Sequence, residues 1–459
     1  MEKLKEFQHT PMKILIIGGG EVGFHLAGEL ARENHDVVVV ENDPERLQRI
    51  SKSLDVMVLE GNGTAQKTLK EAGISSADML VAVTNSDEGN ILACMIAREF
   101  GVKTKIARVR DHELSHKDSV LAPERIGIDL MIHPELETAK EIFRLIRHPA
   151  ASDVMEFFEG EVELLGLRLS GQSPIVGKTL LELGRDFTDM PYRVTAISRG
   201  NQTLIPRGDH RIEEDDLIYV ITRSEAAPEV LSLISAEQLV TRNVMILGAS
   251  RVGLLLAEVL EDNQNMNVKL VDSNPDKAHL AAGLLTDTLV VEADGRDIDV
   301  IAAEGLIDMD AYVACTGNDE TNIVTSLVAR HLGVKRIITI VEKKFYLPII
   351  RAIGLEIAVN KHILTSNAIL KYIHHGRVLS FSQVRGIEAE TIVYAVAEKA
   401  KITKKPLYKL KFPEGSLIGA IRRGKEVIIP TGQTQVQAGD EALVFYLPDA
   451  RNKVDSWFD

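Results

Sequence analysis

Short apolar runs alternate with longer amphipathic stretches between residues 13 and 109. The runs are rich in valine, isoleucine and leucine, which predicts buried strands, whereas the stretches between them have the apolar spacing of helices. Strands that alternate with helices imply right-handed crossovers and a parallel, doubly wound sheet. The predicted strands cover residues 13–17, 37–40, 56–59, 79–83 and 104–109.

The same alternation returns in the second half of the chain. The sequence KILIIGGGEVG at 13–23 is echoed by NVMILGASRVG at 243–253, and TNSDEGN at 84–90 is echoed by TGNDETN at 316–322. The chain therefore contains a duplicated α/β unit. The strands predicted for the second copy cover residues 244–247, 268–271, 288–291, 311–315 and 336–341.

An amphipathic helix follows each α/β unit, predicted at 135–146 in the first copy and at 363–373 in the second. This helix either packs on its own sheet or crosses to another repeat or subunit, and the sequence leaves both open. Short strand patterns then follow. The predicted fold is α/β, with two Rossmann-like doubly wound parallel-sheet domains, each followed by a small α+β domain. The predicted domains span residues 12–150, 151–236, 241–377 and 378–459.

Composition narrows the classes of function. The net charge of −14 argues against a general nucleic-acid binder or a polybasic membrane anchor. The two cysteines lie in different repeats and outside any CxxC pair, so we expect a reducing compartment and neither a disulfide nor a zinc site. No stretch of the sequence approaches the ~18–20 uncharged apolar residues of a membrane span.

A glycine-rich turn joins the first predicted strand to the first helix. Gly18 permits a tight turn, Gly20 lets the backbone approach a pyrophosphate, and Gly23 allows close packing of helix on strand. The helix N-terminus supplies amide donors for phosphate oxygens. Glu41, at the end of the second strand, is predicted to accept hydrogen bonds from ribose hydroxyls and to repel a 2′-phosphate. This arrangement favours NAD(H) over NADP(H).

The second copy of this site is altered. Ser250 replaces the central glycine, and its hydroxyl could donate a hydrogen bond to phosphate. Arg251 adds a positive charge beside it, and Asp272 holds the position of the ribose acid. We therefore expect the second site also to bind a nucleotide.

Polar residues that follow the remaining strands reach the same carboxyl edge of the sheet. Asn62 follows the third strand, Thr84 and Asn85 follow the fourth, and Arg108 and Arg110 end the fifth. Such an arginine is either a bidentate contact to a terminal phosphate or a surface charge, and the sequence leaves both open. The matching positions of the second copy hold isoleucine and glutamate, so only the first site is expected to accept an extra phosphate charge readily.

No catalytic constellation accompanies these motifs. His112 and His116 stand four residues apart, but no HExxH pattern completes a zinc site, so we expect surface histidines. Neither unit is followed by the larger substrate domain with a positioned base that a dehydrogenase needs. A regulatory binding protein without enzymatic activity is therefore the leading prediction. An NAD-dependent oxidoreductase and a redox-sensing DNA-binding regulator are the alternatives.

The order of domains and these motifs resemble the TrkA family, whose members are tandem RCK (KTN) regulators of Trk-type potassium uptake. The resemblance covers roughly residues 12–448, and its marks are GGGEVG with Glu41, the segment TNSDEGN, and GKTL…ISRG…LIP…DD in the small domain. It implies that each small domain is of the RCK-C (TrkA-C) type. The chain departs from the family at Asn62, where many members carry an acid that Asp294 keeps in the second copy.

The resemblance implies nucleotide sensing without turnover, with NAD(H) as the cofactor and ATP or ADP as the alternative. Binding is expected to gate a Trk-type membrane potassium-translocating subunit. We expect a homo-oligomer, a tetramer, in the cytoplasm at the inner face of the plasma membrane, with no nucleic-acid partner and no metal. A regulator of a different cation transporter is the closest alternative. The predicted nucleotide contacts are Gly18, Gly19, Gly20, Glu21, Val22, Gly23, Glu41, Asn62, Thr84, Asn85, Arg108, Gly248, Ser250, Arg251, Gly253, Asp272, Asp294 and Thr316.

Overall fold

The first α/β unit forms a six-stranded parallel sheet with the strand order β3-β2-β1-β4-β5-β6. Ile14 of the central strand pairs with Val37 on one side and with Met79 on the other, and all three side chains are buried. The strands are β1 (Lys13–Ile17), β2 (Asp36–Glu41), β3 (Met57–Glu60), β4 (Met79–Ala82), β5 (Thr104–Arg108) and β6 (Leu130–Ile132). The helices are α1 (Glu21–Arg32), α2 (Pro44–Ser53), α3 (Gln66–Glu71), α4 (Asp87–Glu99), α5 (Pro123–Ile126) and α6 (Pro134–Arg147).

The first small domain is an antiparallel sheet with the strand order β10-β9-β11-β8-β7. Its strands are β7 (Asp153–Phe157), β8 (Val162–Arg168), β9 (Tyr192–Arg199), β10 (Gln202–Leu204) and β11 (Leu217–Arg223). Its helices are α7 (Leu180–Asp186) and α8 (Ala227–Ile234). Thr179 and Glu182 form a reciprocal capping box at the start of α7, which satisfies backbone donors at that end of the helix.

The second α/β unit repeats the first, with the strand order β14-β13-β12-β15-β16-β17. Its strands are β12 (Asn243–Leu247), β13 (Asn267–Asp272), β14 (Leu289–Glu292), β15 (Ala311–Ala314), β16 (Arg336–Ile340) and β17 (Ile357–Val359). Its helices are α9 (Arg251–Glu261), α10 (Pro275–Leu284), α11 (Ile298–Ala303), α12 (Asp319–His331), α13 (Tyr346–Ala352) and α14 (Lys361–Ile373).

The second small domain is again antiparallel, with the strand order β18-β19-β22-β20-β21. It consists of β18 (Val378–Gln383), β19 (Glu390–Ala395), β20 (Ser416–Arg423), β21 (Glu426–Ile428), β22 (Glu441–Tyr446) and the short helix α15 (Arg451–Asp455). The predicted fold class is confirmed by this alternation of parallel and antiparallel sheets. The sixth parallel strands, β6 and β17, were missed because a three-residue apolar run carries too little periodic signal.

The structure is a computed structural model. It describes residues 11–111, 114, 119–148, 150–188, 190–200, 202–234, 241–262, 266–355, 357–373, 378–383 and 387–458. Three of the predicted domain limits, 236, 377 and 459, lie outside the described residues, as do His112 and His116. Within those ranges, no helix combines the length and the apolar character needed to cross a membrane.

The helix that ends each α/β unit packs on the other unit. The apolar face of α6, with Ile142 and Leu145, shares one core with Val252 and Leu256 of α9. In return, α14 packs on α1, and its Ile369, Leu370 and Ile373 join the core beneath Leu26 and Leu30. The sequence had left two roles open for these helices, and within this chain the structure selects the crossing between repeats.

An arginine of the second unit fastens the end of the first crossing helix. Arg336, which is 7% exposed, donates from Nη2 to the carbonyls of Leu145 at 2.7 Å and Ala151 at 2.6 Å. The carbonyls of the last helical turn have no partner within the helix, so an external donor removes the penalty of burying them. The guanidinium therefore ties β16 to the C-terminus of α6.

The small domains also pack on each other. Phe157 and Tyr219 of the first lie in one core with Val393, Leu417 and Phe445 of the second. The chain thus pairs its repeats twice, once through the crossing helices and once through the antiparallel sheets.

Each small domain contains the same buried ion pair. Arg199 donates from Nε and Nη2 to the two oxygens of Asp216, both at 2.8 Å, and Arg423 makes the same pair of contacts with Asp440. Both carboxylates are almost fully buried, so the bidentate geometry compensates the loss of water.

Replacement of Arg336 by methionine should destabilise the contact between repeats. We expect the free energy of unfolding to fall by about 2–4 kcal/mol, because hydrogen bonds from charged groups contribute about 1.5–3 kcal/mol each. Urea unfolding followed by circular dichroism measures this change. Arg330→Met is the matched control, since Arg330 is exposed and also donates to a backbone carbonyl. An equal loss in both variants would contradict the role of Arg336.

Candidate nucleotide-binding site

Two of the three motif glycines, Gly18 and Gly23, are required by the fold itself. Gly18 has φ of +104°, a left-handed conformation that favours glycine, and a Cβ there would lie 3.0 Å from the backbone nitrogen of Thr84. A Cβ on Gly23 would lie 1.9 Å from the carbonyl oxygen of Gly18. The turn and the close packing of α1 on β1 were predicted from the sequence, and the geometry accounts for both.

Gly20 differs because the protein's own packing does not require it. Its backbone is extended, and the nearest atom to a Cβ placed there is Nη1 of Arg46, at 4.0 Å. Gly20 is also the N-cap of α1, and with no side chain it leaves the amide donors of the first turn for another acceptor. Open space beside uncapped helix amides is the environment that a pyrophosphate fits.

The acid at the end of β2 holds the glycine loop in place. Glu41 is 5% exposed, and its Oε2 accepts a hydrogen bond from the backbone nitrogen of Gly19 at 2.7 Å. Its Oε1 accepts from the backbone nitrogens of Asn42 at 2.8 Å and Asp43 at 3.1 Å. A carboxylate has about four acceptor positions, and besides these three amides Nη1 of Arg46 lies 3.6 Å from Oε2 of Glu41. The ribose contact stays a prediction, while the anchoring of the loop is a role that the sequence did not reveal.

The repeated segment after the fourth strand is organised by its last residue. Asn90 is fully buried, and its Oδ1 accepts from the backbone nitrogen of Thr84 at 2.9 Å and from the Thr84 hydroxyl at 2.7 Å. Its Nδ2 donates to the carbonyl of Arg108 at 2.8 Å. Asn90 therefore fixes the ends of β4 and β5 at the sheet edge. The signal for this role was its recurrence as Asn322.

Arg108 lies beneath this edge and is 8% exposed, so the alternative of a surface charge is wrong. Its Nη1 donates to the carbonyl of Thr84 at 3.0 Å and to Oδ1 of Asn85 at 3.2 Å. Burial lowers the pKa of Arg108, and the nearby carboxylate of Glu135 acts in the opposite direction. Arg108 thus donates to the predicted nucleotide edge, and the charge of Glu135 in the first turn of α6 acts on it.

The remaining predicted contacts of the first site have partners of their own. Glu21 forms a bidentate ion pair with Arg49, which lowers the pKa of Glu21. Val22 is buried in the core, so only its backbone can face a ligand. Asn62 accepts from the backbone nitrogen and the hydroxyl of Thr64, at 2.9 and 2.8 Å.

In the second loop, Ser250 uses its hydroxyl within the protein. It donates to the carbonyl of Cys315 at 2.7 Å and accepts from the backbone nitrogen of Gly253 at 3.2 Å. The other glycines repeat the first site: Gly248 has φ of +112°, and a Cβ on Gly253 would lie 2.0 Å from the carbonyl oxygen of Gly248. Since Ser250 caps one amide of α9, fewer donors remain for a phosphate than at Gly20.

The acids of the second site are also engaged. Asp272 accepts from the backbone nitrogens of Ala249 at 2.7 Å and Asn274 at 2.8 Å, as Glu41 does in the first unit. Asp294 forms a bidentate pair with Arg296, which lowers the pKa of Asp294 to about 2.

Thr316 donates to Asn322 at 2.6 Å, as its counterpart does in the first unit, and Arg251 is exposed at the start of α9. The two sites therefore share a backbone scaffold and differ in how many helix N-terminal amides are left open for a phosphate. No group of side chains with metal-binding geometry occurs among the described residues.

The fold and these two loops define a protein of tandem Rossmann-like domains, each joined to a small antiparallel domain. The family pattern of the TrkA-N domain matches residues 14–134 and 244–361, and that of the TrkA-C domain matches residues 167–235 and 392–459. The chain belongs to the TrkA family of Trk system potassium uptake proteins, and the predicted resemblance is confirmed.

Relatives match over almost the whole length. The chain is 36% identical to Trk system potassium uptake protein TrkA homolog 1 of Methanosarcina mazei, over 97% of this chain and 100% of that protein. It is 34% identical to Trk system potassium uptake protein TrkA of Halomonas elongata, over 96% of this chain and 97% of that protein.

Solved structures with the same fold include the GsuK RCK domain, with a TM-score of 0.62 and 20% identity over 98% of this chain and 95% of that chain. The GsuK channel bound to NAD matches with a TM-score of 0.63 and 20% identity, over 98% of this chain and 79% of that chain. At this level of identity the likeness concerns the fold alone.

The contrast between the glycines predicts different responses to substitution. Gly23→Ala should lower the free energy of unfolding by about 1–3 kcal/mol or more, because its Cβ would overlap a backbone carbonyl. Gly20→Val should change it by less than about 1 kcal/mol, since the space is open and the N-cap contributes little without a side chain. Thermal unfolding of the two variants measures this. A Gly20→Val protein as unstable as Gly23→Ala would show that Gly20 serves the fold.

Proposed function

We propose that the protein is a nucleotide-sensing regulatory subunit that gates a membrane potassium-translocating protein of the Trk type. Membership of the TrkA family supports the link to potassium uptake, and the open first loop supports the nucleotide. The observation that carries the proposal is Gly20, which the fold does not need and which leaves helix amides open at a Rossmann edge.

NAD(H) is the proposed ligand of the first site. Gly18, Gly20 and Gly23 would shape the pyrophosphate turn, and Glu41 would accept from the ribose while it anchors the loop through Gly19. The buried negative charge of Glu41 disfavours a 2′-phosphate. ADP or ATP is the second candidate, because the related folds include GsuK structures bound to NAD and to ADP.

The second site is proposed to bind a nucleotide more weakly. Ser250 already caps Gly253, and the acid Asp294 is neutralised by Arg296. Fewer open amides reduce the contribution of the helix N-terminus to phosphate binding. The first site is therefore the main sensor in this proposal.

The proposal excludes turnover. A dehydrogenase needs a substrate domain with a base placed against the nicotinamide, whereas here a small domain follows each α/β unit. The regulator is proposed to work in the cytoplasm as a homo-oligomer, a tetramer, docked on the inner face of the membrane. The net charge of −14 suits a basic surface on the partner, and such attraction weakens with salt.

The first test is nucleotide affinity. The wild-type chain should bind NADH at least about tenfold more tightly than NADPH, a difference of about 1.4 kcal/mol. Gly20→Val should abolish NADH binding at the first site, because its two methyl groups fill the pyrophosphate path. Isothermal titration measures both, with Gly283→Ala on α10 as the control, since a Cβ on Gly283 meets no atom within 4 Å. Equal affinities for NADH and NADPH would contradict the proposed contact between Glu41 and the ribose.

The second test is transport. Potassium flux through the co-purified membrane subunit in vesicles should differ between NADH, ATP and no nucleotide, since a ligand that favours one conformation must bias the gate. Gly20→Val should remove the response to NADH but leave basal flux. Light scattering should give an oligomer at micromolar concentration. A stable monomer, or a flux that ignores every nucleotide, would refute this function, and consumption of NADH with a metabolite would favour the oxidoreductase.

A further inference from the structure

A group of four charged side chains lies at the interface of the two α/β units. Arg108 ends β5, Glu135 lies in the first turn of α6, Lys361 begins α14, and Glu342 follows β16. The Nζ of Lys361 lies 3.6 Å from Oε1 of Glu135 and 2.9 Å from Oε1 of Glu342. Two of the four residues come from each unit, so this charged group spans the interface formed by the exchanged helices.

The first and the last member of this charged group each contact a predicted nucleotide edge. Arg108 donates to the carbonyl of Thr84 and to Asn85 at the first edge. At the other end, the backbone nitrogen of Glu342 donates to Oδ1 of Asp319 at 2.9 Å. Asp319 is the first residue of α12 and lies within the repeated segment that begins at Thr316. Lys361 and Glu342 therefore join Glu135 to the edge of the second sheet. Arg108 at the first edge acts on Glu135 through its charge.

The middle of the network is buried but incompletely satisfied. Arg108 is 8% and Glu135 is 6% exposed. Arg108 Nε and Glu135 Oε2 have no hydrogen-bond partner among the described residues. A buried charge that lacks full compensation costs several kcal/mol, so these groups gain free energy from any shift that improves their pairing. Such a network is able to repartner when one neighbour changes.

We propose that Arg108, Glu135, Lys361 and Glu342 couple the two nucleotide edges, so that a ligand at the first site alters the loop and helix that form the second. This inference rests on the proposed nucleotide function of the first site. A phosphate at the first edge attracts Arg108 and draws its charge away from Glu135, which then pairs more closely with Lys361, whose Nζ lies 3.6 Å from Oε1 of Glu135. Lys361 then shifts towards Glu135 and weakens its contact with Glu342.

A shift of Glu342 reaches the second site directly. Its carbonyl accepts from Nδ2 of Asn360 at 2.9 Å, and its nitrogen bonds Asp319, so this residue clamps the loop after β16 to the start of α12. The network is asymmetric in sequence, because the positions equivalent to Arg108 and Arg110 hold Ile340 and Glu342.

Hydrogen exchange on the full-length protein with NADH as the probe tests the coupling. NADH should change the exchange rate of the amides of Glu342 and Lys343, which donate to Asp319, by at least about fivefold, the lower end of common allosteric couplings. The change should vanish in Gly20→Val, which would show that it originates at the first site. Glu135→Gln should also abolish it while NADH affinity, from isothermal titration, stays within about twofold.

Matched variants separate coupling from structure. Glu137→Gln, two residues further along α6 and more exposed, should behave as wild type. Lys361→Met should lose the remote change, and Lys361→Arg, which keeps the charge, should retain it. If NADH binds but the Glu342 amide does not respond, or responds equally in Glu135→Gln, the coupling is refuted while the proposed function stands. If the wild-type chain binds neither NADH nor ADP nor ATP, both are refuted.

Discussion

The reciprocal exchange of the crossing helices is the constraint on which the rest of this structure depends. The first helix of each α/β unit has an apolar outer face, and the helix that covers it comes from the other unit: α6 covers α9, and α14 covers α1. The two units therefore fold as one pair, and any movement of α1, which carries the glycine loop, must be accommodated by α14 and by the unit to which α14 belongs.

The glycine loops show how one scaffold supports two different sites. In both units a buried acid at the end of the second strand holds the loop through a backbone amide, Glu41 through Gly19 and Asp272 through Ala249. The difference lies in a single side chain at the helix N-cap. Gly20 leaves the amides of α1 open, whereas the hydroxyl of Ser250 caps α9 and bonds a neighbouring strand. Affinity for a phosphate is thus adjusted without change to the fold.

Charge burial ties these sites to the interface between repeats. Buried charges lie where helices from the two units meet. Arg336 lies at the end of α6, and Arg108 and Glu135 lie at its start. Arg336 is attached through its Nη2 to carbonyl oxygens at the end of α6, and this attachment serves stability. Arg108 Nε and Glu135 Oε2 have no hydrogen-bond partner among the described residues, so these two side chains gain from a rearrangement that pairs them. A regulator requires both kinds, because a rigid attachment is needed for a local shift to be transmitted.

The sequence by itself determined the duplication, the alternation of strands and helices, and the glycine turns, because each follows from local periodicity or from a short motif. It also placed Thr84 and Asn85 at the sheet edge. Only the tertiary structure decided which surface each crossing helix packs on, since an apolar helix face does not by itself specify the surface that it covers. The same holds for the burial of Arg108 and for the engaged hydroxyl of Ser250, because burial and hydrogen-bond partners depend on residues far apart in the chain.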